Sequence, residues 1–210
     1  MQAVSAKSFP SHSRSTVQDL RQVGVGAAEA AAELGWPENA CRRDWLFCEH
    51  ARVATDAIVV RPAEERDRRA LAELFAAVAA ERDGIATEPP VDVDAWAAEW
   101  GLEGTVVAVT DDEIVGELRV QRSWFGYGEI GMMVAAGWRG RGVGSALVAA
   151  AIEWAREQGM HKLSLSVFPH NAAAIALYRK FGFVEEGRRI KHLRRANGEL
   201  WDLIDMGLLL

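Results

Sequence analysis

Cysteine is scarce in this chain: Cys41 and Cys48 are the only two among 210 residues. Two thiols are too few for a disulfide framework or a cysteine-rich zinc site. His12, His50, His161, His170 and His192 show no metal-ligand spacing, so no metal is expected. No apolar run approaches the roughly 20 residues of a membrane span, and the N-terminus lacks the apolar stretch of a secretory signal. No membrane partner is expected. An excess of positive charge is also missing. A net charge of −6 argues against a general nucleic-acid binder. Elimination leaves a soluble, cytoplasmic protein. Half of the residues are apolar, enough for one sizeable packed domain with an appendage.

Residues 1–16 are Ser-rich and carry Lys7 and Arg14 but no acid, which reads as a flexible arm; the composition also admits a transit peptide. Residues 17–34 are Ala-rich and helix-compatible, weakened by Gly24 and Gly26 and broken at Gly35-Trp36-Pro37. Residues 39–55 read as a further helix. Residues 1–56 are therefore taken as a partly helical or flexible extension, and 57–210 as the main domain. Within it the pattern predicts a strand over 57–61 and a helix over 64–80 with Leu71, Leu74, Phe75 and Val78 on one face. A short helix over 94–100 follows. Strands over 105–110 and 113–121 are joined at Asp111-Asp112. Strands over 183–193 and 200–209 flank a turn at Ala196-Asn197-Gly198. The class is α+β, with a mainly antiparallel sheet.

The chain is organised around residues 129–147. A short apolar run, Ile130 to Val134, reads as a buried strand. Arg139-Gly140-Arg141-Gly142-Val143-Gly144 and Ser145 follow, and then an Ala-rich helix stopped by Gly159. Strand, glycine loop and helix together make an anion cradle. The first N–H groups of a helix have no intrahelical partner, the helix dipole adds positive potential, and glycines allow close approach. A pyrophosphate suits it. A P-loop is excluded because no Gly-Lys-Ser/Thr follows. The dinucleotide fingerprint fails as well, with Ser145 or Leu147 at its third glycine, and this argues against a nucleotide-binding oxidoreductase.

What fits is Arg-x-x-Gly-x-Gly at Arg139, Gly142 and Gly144. One helix and one strand later comes Asn-x-x-Ala-x-x-Leu-Tyr-x-Lys-x-Gly-Phe, at Asn171, Ala174, Leu177, Tyr178, Lys180, Gly182 and Phe183. In this order the two blocks resemble the acyl-CoA loop and second motif of the GNAT N-acetyltransferase superfamily, over about residues 58–210. Ala136 stands where that family often has Pro. The resemblance implies a GNAT fold: a mixed, mainly antiparallel sheet of six to seven strands flanked by helices, with acetyl-CoA wedged between two splayed central strands.

It further implies site residues. Arg139, Gly140, Arg141, Gly142, Val143, Gly144 and Ser145 would hold the pyrophosphate, largely through backbone N–H groups. Met132 and Val134 would offer backbone groups to the pantetheine arm. Asn171 would contact the cofactor or cap its helix, and both can hold. Lys180 would approach the adenosine phosphates or stay solvated. Acetyl transfer to an amine needs a base for the amine and a proton for the leaving thiolate. Tyr178 is the candidate acid, although it also fits an apolar stripe with Ala174, Leu177 and Phe181. Glu129 is the candidate base through a water, or a solvated strand-end carboxylate, with His170 and Glu117 in reserve. No cysteine lies near the motifs, so direct transfer in a ternary complex is expected.

The acceptor is a small-molecule or peptide amine of unspecified identity. Residues 81–117 hold eleven acids against Arg82 alone, a wall for a cationic acceptor or ordinary surface polarity. Arg188, Arg189, Lys191, Arg194 and Arg195 form a basic cluster that points the other way, toward CoA phosphates or an acidic partner, or toward edge protection. The aromatic loop with Trp124, Phe125 and Tyr127 could also shape the pocket. The apolar end, Leu208 to Leu210, is compatible with a homodimer. The competing function is a non-catalytic acyl-CoA-binding sensor or scaffold that uses its first 56 residues for a partner.

Overall fold

A computed structural model of the protein describes residues 51–53 in backbone, 58–111 and 113–210. The arm and the helices expected over 1–50 lie outside these residues. Residues 51–53, expected at the end of a helix, instead form strand β1 (Ala51–Val53), paired antiparallel with β2 (Ile58–Pro62). Then follow α1 (Arg68–Ala80), α2 (Val93–Glu99), β3 (Thr105–Thr110), β4 (Glu113–Arg122), β5 (Tyr127–Val134), α3 (Val143–Glu157), β6 (Lys162–Val167), α4 (Ala172–Lys180), β7 (Val184–Arg194) and β8 (Leu200–Leu209). From Ile58 onward the sheet has seven strands, as expected, and β1 adds an eighth at its edge, giving the order β1-β2-β3-β4-β5-β6-β8-β7. Every strand pairing is antiparallel except β5 with β6. β8 lies inside the sheet between β6 and β7, so its backbone is largely taken by these neighbours.

Strand alternation divides the core between the two faces. Leu118, Val120 and Ile130 pack with Val143, Leu147, Val148 and Ile152 of α3 and with Ile175 and Tyr178 of α4. Val107, Ile114 and Met133 pack on the other face with Leu71, Leu74 and Val78 of α1 and with Trp100 beyond α2. The 3.6-residue spacing of those α1 side chains is what produces one apolar stripe.

β5 meets β6 over only three residue pairs, Tyr127 with Lys162, Gly128 with Leu163 and Glu129 with Ser164. Beyond them the two strands part. β5 stays paired to β4 as far as Val134, and β6 stays paired to β8 as far as Val167. The splay that the site requires is thus held open from both sides.

Two neighbours in β4 generate predictions. A Cβ at Gly116 would meet Val143 Cγ1 at 2.9 Å and Leu147 Cδ1 at 3.1 Å, so the residue sets how closely α3 lies on the sheet. Gly116→Ala should overpack this contact by about 1–3 kcal/mol and lower Tm by roughly 2–10 °C. Glu117 is buried opposite Met133 and Val107, and desolvation pushes its carboxyl from 4.5 up to about 8 against the opposing pull of Arg119. Across that window the fold retains a proton that the unfolded chain has released, so this residue's contribution favours folding below it and is lost as pH rises through it. Glu117→Gln should therefore match the parent's stability near pH 4 and exceed it increasingly toward pH 8, by about a few kcal/mol at most; melting curves across that range are the check.

Candidate active site

The parted strands open a cleft of about 1040 Å³. Residues 130–134 of β5 and 166–168 of β6 and beyond form its two sides. Gly140, Gly142, Gly144 and Ser145 contribute from the glycine loop, Tyr178 and Leu177 from α4, residues 83–86 from the loop after α1, and Arg189, His192 and Leu193 from β7.

The glycine loop is shaped by its backbone. Gly140 and Gly142 have φ of +73° and +89°, conformations that side-chain-bearing residues rarely adopt. The turn delivers the chain into α3 with no side-chain cap. The first helical bond there runs from the Ala146 N–H to the Gly142 carbonyl, so the N–H groups of Val143, Gly144 and Ser145 have no intrahelical partner. Gly144 answers a different need, because a Cβ there would meet Leu177 Cδ2 at 2.9 Å. Its lack of a side chain lets α3 and α4 converge at the cleft. Val143 contributes backbone only, since its side chain is buried beneath the sheet face.

The two loop arginines behave differently. Arg139 places both terminal nitrogens on the Glu81 carboxylate at 2.7 and 2.9 Å, and its Nε donates to the Val134 carbonyl at 3.0 Å. It ties the loop to the C-terminal end of α1. The guanidinium of Arg141 lies 5.1 Å from the Trp138 ring. Met132 projects toward Gly144, while Gly131 faces open space in the cleft.

Glu129 is exposed and lines the cleft on the same strand face as Gly131 and Met133. Tyr178 is 6% exposed, and its ring packs on Phe183 at 5.6 Å. Burial pushes its phenol up to about 12, so it holds its proton at any physiological pH. Its hydroxyl has no hydrogen-bond partner among the described residues. Asn171 caps α4, its Oδ1 accepting from the Ala174 N–H at 3.1 Å, and it also lines the cleft. Lys180 stands outside the lining, with Nζ 5.8 Å from the Phe181 ring. Glu117 is not among the lining residues.

The acidic run and the basic cluster largely answer each other and the fold. Asp83 pairs with His170 at 3.0 Å, Asp94 with Arg69 at 2.8 Å, and Asp92 caps α2. Arg195, 4% exposed, donates to the carbonyls of Arg82, Ile85 and Ala86, approaches Glu88 at 3.5 Å and lies 4.4 Å from the Trp201 ring. It fixes the loop after α1 as one wall of the cleft. Arg188 pairs with Asp202 at 2.8 Å, while Arg189 alone of the cluster's arginines lines the cleft. Sequence reasoning grouped these cations together; only the paired acids on β8, Asp202 and Asp205, hinted at the division. Trp124 and Phe125 are fully solvent-exposed and away from the lining residues, so they do not shape the pocket.

Among the described residues there is no cluster of three or more metal-ligand side chains and no helix long and apolar enough to cross a membrane.

Comparison with known proteins agrees with this architecture. Residues 68–183 match the model of the acetyltransferase (GNAT) family. The L-amino acid N-acetyltransferase AaaT of Escherichia coli (strain K12) is 34% identical over 158 residues, which is 69% of this chain and 93% of the relative. The L-methionine sulfoximine/L-methionine sulfone acetyltransferase of Pseudomonas paraeruginosa is 33% identical over 50% of this chain and 67% of its own. Among solved structures, the ribosomal-protein-alanine N-acetyltransferase of Brucella melitensis matches with a TM-score of 0.65 and 31% identity, over 72% of this chain and 99% of that one. The chain belongs to the GNAT acetyltransferase family and is an enzyme of the acyltransferase class.

Proposed function

We propose that the enzyme moves an acetyl group from acetyl-CoA to the primary amine of a small acceptor, by direct attack in a ternary complex within residues 57–210. The observation that carries this reading is Tyr178: a phenol kept protonated by burial, without a protein partner for its hydroxyl, lining the gap between the parted strands. In this reading the unpartnered N–H groups of residues 143–145, with the backbone at Gly140 and Gly142 and the charge of Arg141, hold the pyrophosphate. Arg139 braces that loop. The free side of β5 at Met132 and Val134 guides the pantetheine arm, with Asn171 and Lys180 contributing from α4.

The chemistry then balances simply. The neutral amine attacks the thioester carbonyl carbon, forming a C–N bond while the C–S bond breaks. Glu129 receives the amine proton through a water and Tyr178 supplies one to the departing thiolate; as the products leave, Glu129 gives its proton up to solvent and Tyr178 takes one back, so the enzyme is unchanged. No covalent acyl-enzyme is involved. The two sequence relatives are named for L-amino acids and for L-methionine sulfoximine and sulfone. That supports an amino-acid-like acceptor here. The competing reading, a non-catalytic acyl-CoA sensor, gives the Tyr178 hydroxyl no task.

Acetyl-CoA at a hundred times its Kd should stabilise the protein by about 2.7 kcal/mol, a Tm rise of roughly 5–10 °C, whereas NADH and ATP should leave Tm unchanged. Tyr178→Phe should keep that shift and lose about 100-fold or more in kcat. An unshifted Tm would remove the cofactor assignment, and a fully active Tyr178→Phe enzyme would remove the acid.

A further inference from the structure

The strand β7, which contributes Arg189, His192 and Leu193 to the cleft lining, contains a strained piece of backbone. Between β7 and β8 the register runs from Arg189 opposite Leu203 to Leu193 opposite Trp201, so four steps on β7 face two on β8. Lys191 sits inside this bulge with φ of +49°, an uncommon conformation for a residue with a side chain. The Asp202 carboxylate holds it there, accepting from the Lys191 N–H at 2.7 Å. In an unbroken strand Arg189 and His192 would face opposite sides of the sheet. The bulge brings them together: Arg189 Nη1 lies 3.1 Å from His192 Nε2, and both line the cleft.

The hydrogen bonds fix what this pair offers. Arginine only donates, through five N–H groups. The Nε and Nη2 edge is occupied from behind, on Asp205 Oδ1 at 3.1 and 2.6 Å and on Ser166 Oγ, which itself donates to Asp205 at 2.7 Å. Asp205 does not line the cleft. Arg189 can only donate, so within this contact His192 Nε2 is the accepting atom. One N–H of Nη1 is left over, on the nitrogen beside His192. Nearby, Glu81 pairs with Arg139 and Asp83 meets His170, and Arg189 itself is held from behind by Asp205. Val78, Ile85, Met133, Leu193 and Leu203 supply apolar walls.

We propose that Arg189, aimed by the bulge together with His192, is the subsite for the acceptor's carboxylate, and that the acceptor is a free apolar α-amino acid. The inference rests on the transferase reading above and adds the group that selects the acceptor. Backbone strain of this kind persists only where the surroundings enforce it, and it gathers at functional sites.

The test measures CoA release from acetyl-CoA with L-leucine, L-leucinamide and 3-methylbutylamine, which share a side chain and differ in the carboxylate. The amide's amine is less basic and hence more often neutral, so intrinsic reactivity favours the amide. The wild type should nonetheless prefer L-leucine by about 10- to 100-fold in kcat/KM, the worth of a charge-assisted hydrogen bond. Arg189→Gln should bring that ratio to one or below through a raised KM for L-leucine, the loss on L-leucine exceeding that on the amide by about the same 10- to 100-fold, with the KM for acetyl-CoA unchanged. His192→Ala should move the ratio the same way by less. Leucinamide or the simple amine turning over as well as L-leucine in the wild type would overturn the subsite, leave the transferase reading intact, and point to a peptide N-terminus or a plain amine. Equal losses on all three acceptors in Arg189→Gln would also overturn it. No CoA release with any of the three, in a protein whose Tm rises with acetyl-CoA, would overturn both readings. The wild-type comparison does not depend on the variants folding.

Discussion

Three parallel residue pairs are all that join β5 to β6, and the site depends on that short seam. Each strand is committed on its far side, β5 to β4 and β6 to β8, so the opening cannot be closed by sliding one across. Nor can it collapse from the faces. One face carries α3 and α4, the other α1 and Trp100, and both clusters are closely packed. The gap is therefore a standing feature of the sheet, lined by strand backbone whose hydrogen-bonding capacity the neighbouring strand does not meet. A pantetheine arm has the reach and the amide groups to complete such an edge.

Around the gap, charges serve mainly as mechanical ties. Arg139 joins the glycine loop to Glu81, His170 joins the end of β6 to Asp83, and Arg195 gathers three carbonyls of the loop after α1. The first two pairs are partly exposed, where an ion pair contributes little to stability. Their importance lies in geometry, since they hold the loop after α1, the glycine loop and the end of β6 in one arrangement. Arg195 is different, because it is buried and its donors meet backbone carbonyls directly. A consequence is that most of the charges around the cleft have protein partners, Arg189 on Asp205 among them.

Much of this was legible in the sequence, and the reason is periodicity. The α1 stripe, the hairpin at Asp111 and the strand-loop-helix at residues 129–147 each rest on local spacing that tertiary contacts reinforce. Two blocks of motif spacing then identified the fold. What escaped reading was set by pairings distant in the chain. The basic cluster at 188–195 looks uniform as a string, yet Arg188, Arg189 and Arg195 have separate partners because a bulge alters the alternation within β7. Nothing local marks Lys191 as a residue with positive φ; its partner Asp202 lies across the turn. Nor does the motif show the bond from Arg139 to Glu81, which spans 58 residues. The strand at Ala51–Val53 has the same origin, since only its pairing with β2 makes it one.

Tyr178 shows where packing logic and chemistry separate. Its ring belongs to the core beside Phe183 and Ile175, and a phenylalanine would satisfy every contact there. A buried tyrosine hydroxyl normally finds a hydrogen-bond partner, because leaving it unpaired costs free energy. Here no described residue provides one, yet Trp100 Nε1, not the Tyr178 oxygen, is the buried side-chain atom left unpartnered among the described residues, so the hydroxyl meets the cleft while burial of the side chain keeps its proton in place. The hydroxyl is thus the one atom of this side chain that the core does not need. A phenol that packing does not require, kept protonated by burial and set on the cleft lining, is consistent with the proposed role of proton donor to a departing thiolate.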